Sequence, residues 1–99
     1  MRRFNAIQFN INEFGKSAVV YFPNGYGASI VSNKMSYGGK IHLFEIAVLL
    51  SNGKITYETT IVNDIGLHGV ACGGVIGWLS PTGVEYILEK ISNLPSRYN

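Results

Sequence analysis

Charge is what this sequence has least of: Asp, Glu, Lys and Arg make up 14% of its 99 residues, against roughly 25% in an average domain. Its surface must therefore draw polarity from Asn, Ser, Thr, Tyr and Gly. Apolar patches are then poorly screened, so contact with another protein, or a homodimer, is expected. Cysteine is nearly missing too. The single Cys72 excludes an intramolecular disulfide and any multi-cysteine zinc site, and it fits a reducing, cytoplasmic setting. Eight basic against six acidic residues give a net charge of +2, and among the basic ones only Arg2 and Arg3 are adjacent. Nucleic-acid binding is not expected, because it needs clustered Lys and Arg to neutralise several phosphates at once.

Long apolar runs are also lacking. The longest uncharged stretch, Ile65 to Val84, contains His68, several glycines and Pro81. Its apolar part, about 15 residues, would span some 22 Å as a helix, short of the roughly 30 Å hydrocarbon core. No membrane span is expected. After Met-Arg-Arg, the polar residues of FNAIQFNINEF break up any signal-peptide core. Neither GxGxxG nor GxxxxGKS/T occurs, so the usual nucleotide-enzyme cradles are absent. None of the carboxylates, Glu13, Glu45, Glu58, Asp64, Glu85 and Glu89, stands at a metal-ligand spacing from His42 or His68, and no cofactor is expected.

What is present is strand periodicity broken by turn residues. Ile7, Phe9 and Ile11 alternate with polar residues, the mark of a strand with one buried face. The run SAVVYF stops at Pro23-Asn24-Gly25, where proline removes a donor and Asn-Gly favours positive φ, so the chain reverses into a strand from Tyr26 to Ser32. Residues Ile41 to Leu50 read as a central strand, and Ser51-Asn52-Gly53-Lys54 as a second hairpin turn leading to a strand through Ile55, Tyr57, Thr59 and Ile61. Ser80-Pro81 is a helix-start signature. Val84, Ile87, Leu88 and Ile91 then form one apolar helical stripe. The expected fold is a single α+β domain over 1–99: an antiparallel sheet of about four to five strands in two consecutive hairpins, with one C-terminal helix packed on a face.

Chemistry is harder to place. His68 and Cys72 are four apart, a same-face spacing on a helix and the minimum for a thiolate nucleophile, but the glycines around them oppose a helix. Gly69, Gly73 and Gly77 repeat a GxxxG spacing, a helical packing device that reads more simply here as a tight loop. Glu45 and Glu58 lie at mirror positions about the Asn52-Gly53 turn, and solvated carboxylates are the simpler reading of them. No catalytic set emerges, and an enzyme is not expected. A recognition surface remains. Tyr26, Tyr37 and Tyr57 lie in or beside the hairpins, and tyrosine offers contact area at small entropic cost. The loop from Asn33 to Lys40, NKMSYGGK, brings Lys34 and Lys40 to either side of Tyr37, Gly38 and Gly39. Its glycines can present backbone N–H groups to an anion.

FPNGYGASIV, SYGG, LFEIAVL, a short Asn-Gly turn, ITYETTI and VIGWLSPTGVEYILEKISNLP follow one another along nearly the whole chain, from Tyr21 to Pro95. In this order they resemble a family of small proteins encoded by bacteriophages and prophages. The resemblance implies a setting, a phage accessory protein in a bacterial cytoplasm, and no activity. The chain departs from the family pattern in IGLHGVACGG, residues 65–74, an apparent insertion and so a place where a specific function can be added. The expected function is non-enzymatic: binding, and thereby inhibiting, a host protein or antiviral defence component. A sponge for a small nucleotide signal and a Cys72-dependent enzyme are the alternatives. The candidate binding residues are Tyr26, Lys34, Tyr37, Gly38, Gly39, Lys40 and His68.

Overall fold

Two turn sequences set the frame of the molecule. A computed structural model describes residues 3–56, 68–72 (Cys72 by its backbone) and 74–97. At Pro23-Asn24-Gly25 the chain reverses with Gly25 at φ 89°, closed by Phe22 N–H donating to Tyr26 O at 2.8 Å. The turn joins β2 (Gly15–Tyr21) to β3 (Tyr26–Asn33) in a register running from Tyr21 opposite Gly27 to Gly15 opposite Asn33. At Asn52-Gly53 the same chemistry recurs with Gly53 at φ 85°. Leu50 N–H donates to Lys54 O there at 2.8 Å, and Thr56 N–H returns to Val48 O. The expected strand beyond it, Tyr57 to Ile61, lies outside the described residues.

Among the described residues six strands form one antiparallel sheet. Besides β2 and β3 these are β1 (Asn10–Asn12), β4 (Phe44–Leu50), β5 (Val70–Cys72) and β6 (Val75–Leu79), in the order β1-β2-β3-β4-β6-β5. The fold is α+β as expected, with a strand count slightly above the four to five read from the sequence. The difference is the β5–β6 hairpin, in a glycine-rich stretch that resembles a loop on composition. Because residues 70–72 are extended, neither the helical spacing of His68 and Cys72 nor that of the glycines is realised.

Helix α1 (Pro81–Ser92) begins where Ser80 Oγ accepts a hydrogen bond from Gly83 N–H at 3.1 Å, satisfying one of the free donors of the first turn. Its stripe of Val84, Ile87, Leu88 and Ile91 is fully buried against Ala28, Ile30, Ile46, Val48, Ile76 and Leu79. Each such side chain contributes roughly 1.5–3 kcal/mol by leaving water. Phe44 closes one side of this core in a cluster with Phe4 and Phe9.

The N-terminal alternation is only partly realised. Ile7 is buried, but it follows a 3-10 turn at Phe4–Ala6, and the strand proper is confined to Asn10–Asn12, with Ile11 exposed. The turn is pinned from outside its own sequence, by Phe4 N–H donating to the Glu85 carboxylate on α1 at 2.6 Å. The central strand likewise starts at Phe44 instead of Ile41, because residues 39–41 form a second 3-10 turn that ends on His42 at φ 65°.

Candidate binding groove

The loop between β3 and β4 is stitched at almost every residue. Asn33 Oδ1 accepts from the N–H groups of Met35 and Ser36 at 2.8 and 2.9 Å, while Ser36 Oγ accepts from Asn33 N–H and donates to Asn33 O. This reciprocal turn places Lys34 and Met35 at its exposed apex. Tyr37 N–H donates to Glu45 Oε1 at 3.1 Å, and Gly39 N–H to Ser36 O at 3.0 Å. The amides of Tyr37 and Gly39 are thus already bonded within the chain, that of Tyr37 to an anion the protein supplies itself.

Both glycines are required by close approach. Gly38 has φ 87°, and a Cβ there would meet Leu43 Cβ at 3.0 Å and Trp78 Cα at 3.1 Å. A Cβ on Gly39 would overlap the Asn33 carbonyl. Gly77 plays the matching part on β6, since a Cβ there would run into Tyr37 Cβ.

Trp78 is the residue that sequence reasoning missed. Strand alternation would place it beside Ile76 in the core. Instead the β4–β6 register slips between Phe44 opposite Leu79 and Ile46 opposite Ile76, two residues against three. The extra residue is absorbed as a bulge with Trp78 at φ 60°. A bulky side chain in the left-handed region is an outlier costing of the order of 1–3 kcal/mol. The bulge lets Leu79 reach the core and leaves Trp78 46% exposed, packed over Gly38, with its backbone N–H donating to Tyr37 O at 3.2 Å. No pattern in the sequence announces a positive φ at a tryptophan.

The result is a groove of about 210 Å³ lined by Trp78, Tyr37, Ile41, Lys34, Lys40 and the backbone of Gly38. Tyr37 is 50% and Ile41 61% exposed. Four of the seven expected site residues therefore meet: Lys34, Tyr37, Gly38 and Lys40. Gly39 lies just behind them as a structural element. Neither lysine has an ionic partner among the described residues, and no carboxylate lines this groove.

Tyr26 and His68 stand elsewhere. Tyr26 opens β3 and Lys34 follows its end, so strand rise separates them by roughly 25 Å. The Tyr26 ring packs on the core beneath the Arg97 guanidinium, 5.7 Å from its centroid. His68 stacks on Tyr86 of α1 with centroids 4.0 Å apart, and Lys90 Nζ lies 5.3 Å from the same ring. Glu58 lies outside the described residues, whereas Glu45 is committed to the loop. Among the described residues no three His, Cys, Asp or Glu side chains come together as a metal site, and no helix is long and apolar enough to cross a membrane.

Chemically the groove can bind. It offers a rigid indole, a phenol, an aliphatic wall and two ammonium groups on a loop whose backbone is fixed before any ligand arrives, so little ordering entropy remains to be lost. Comparison with protein-family models, with curated proteins and with solved structures finds no match for this chain.

Proposed function

We propose that the chain is a non-enzymatic bacteriophage accessory protein that binds, and thereby inhibits, a host protein or antiviral defence component in the bacterial cytoplasm. The observation that carries the binding reading is Trp78, held on strained backbone and half exposed over the Tyr37-Gly38 loop. Exposed Trp and Tyr in a preorganised setting are the residues on which interfaces concentrate their energy. The phage setting rests on the ordered motif resemblance from Tyr21 to Pro95.

The test is plating efficiency of phage on bacterial strains that carry defined defence systems and express this chain. The parent protein is expected to restore plating on at least one strain, and Trp78→Gly to lose that effect while keeping its circular dichroism spectrum. Full activity of Trp78→Gly would overturn the groove as the site.

The groove also favours a second reading, a sponge for a small nucleotide, because an indole face flanked by two lysines suits a base and its phosphate. A nucleotide panel in thermal unfolding separates the two. A bound nucleotide at 100 times its Kd adds roughly 2.7 kcal/mol of stability, and a protein-directed binder shows no such rise.

A further inference from the structure

Resting on the binding reading above, we propose that the site is longer than the Trp78 groove. It continues across Lys34 into a second groove and takes one extended protein segment with two apolar anchors and an acidic residue between them.

The second groove, about 600 Å³, is lined by Phe14, Met35, Asn33, Glu13 and Lys34. Lys34 is thus a wall common to both grooves. Topology explains the adjacency. The β1–β2 turn brings Phe14 beside the end of β3 through the Gly15–Asn33 pairing, and the β3–β4 loop starts from that same end. Phe14 is 73% and Met35 93% exposed, yet both sit on fixed backbone: Phe14 N–H donates to Asn12 Oδ1, and Met35 N–H to Asn33 Oδ1, each at 2.8 Å. With Ile41, Tyr37 and Trp78 they place five large exposed apolar side chains at one end of the sheet. Lone exposed apolar residues are ordinary, whereas a contiguous run marks an interaction site.

Charge selects the occupant. Lys34 and Lys40 are the cations that line the two grooves; of the acids, Glu13 lies in the far groove beside Phe14, and Glu45, outside both linings, is held by the Tyr37 N–H. A carboxylate on the partner therefore fits at the Lys34 junction, with an apolar anchor on Trp78 and Tyr37 on one side and another on Phe14 and Met35 on the other. A flexible methionine suits the second position, since it adapts to anchors of different shape.

A displayed library of random 12-residue peptides, selected on the immobilised full chain, is the probe. Expected are peptides with two apolar or aromatic positions flanking Asp or Glu. A synthetic consensus peptide, titrated by isothermal calorimetry so that variants without the chain's only tryptophan are read in the same way, should bind about tenfold more weakly to Lys34→Glu and to Trp78→Gly. Phe14→Ser should lose several-fold, and Lys34→Arg should retain affinity. Consensus peptides lacking an acid, equal binding by Lys34→Glu or Phe14→Ser, or no enrichment would overturn the extended site. Loss on Trp78→Gly alone would then leave the single groove standing, and indifference to Trp78→Gly would remove both. A native mass of twice the chain that Phe14→Ser halves would instead give the surface to a second copy and overturn the peptide assignment.

Discussion

The two ends of the sheet use the same vocabulary, an asparagine in a turn beside glycines and a tyrosine, and put it to opposite uses. At one end Asn24 Oδ1 shapes its own turn by accepting from Tyr26 N–H, while its Nδ2 donates to the carbonyls of Ile91, Ser92 and Leu94. The last turn of α1, whose carbonyls have no partners within the helix, is capped by a hairpin turn from the other half of the chain, and Tyr26 is half buried with it. At the other end Asn33 serves its own loop alone. There the tyrosine, the lysines and Trp78 face outward. One end spends its polar groups on the fold, and the other is rigid but leaves its large aromatic side chains about half exposed, Trp78 at 46% and Tyr37 at 50%.

The comparison can be broken at either end. The largest loss is expected from Gly39→Ala, because its Cβ would meet the Asn33 carbonyl and backbone must move. Overpacking of this kind costs about 3 kcal/mol, read as a drop in the urea midpoint. Next comes Asn24→Ala, which removes three bonds to the helix end and should cost about 2 kcal/mol. Asn24→Asp should be at least as damaging, since it puts a negative charge against helix carbonyls. A smaller and more diagnostic effect belongs to Trp78. Glycine inside a strand is ordinarily about 0.5–1 kcal/mol worse than alanine, but at φ 60° the order should invert, with Trp78→Gly more stable than Trp78→Ala by about 1 kcal/mol. If alanine is the better replacement, the strained bulge is refuted. The smallest change is expected from Lys34→Glu with Lys40→Glu, whose thermal midpoint should match the parent's although the groove has reversed its charge.

Local signals were legible and non-local ones were not. The Asn-Gly turns and the Ser80-Pro81 cap each satisfy their own backbone, so residue type alone located the β2–β3 hairpin and α1 to within a residue or two. The β5–β6 hairpin was hidden because its glycines are there for close approach, Gly69 to Leu79 across the hairpin and Gly77 to Tyr37 of the β3–β4 loop. Composition reports such glycines as loop. The site was half legible for the same reason. Lys34, Tyr37, Gly38 and Lys40 are neighbours in sequence, but Trp78 joins them through a register slip that depends on which residues of β4 and β6 reach the core. Tyr26 and His68 were singled out by residue type and location, and their rings turn out to pack against Arg97 and Tyr86.

The Asn24 clamp also bears on the order in which the molecule assembles. It joins positions 67 to 70 residues apart, whereas the β2–β3 hairpin around it needs only its own neighbours and can form within roughly 1–10 μs. A turn whose own backbone closes locally is therefore among the last to be finished, since three of its bonds wait for the helix to dock. Contacts of such long sequence separation slow the approach to the native state. The Asn24 end should thus be the late-closing part of the folding pathway, while the loop that carries the groove, sewn by bonds between residues 33 and 45, can be complete before it.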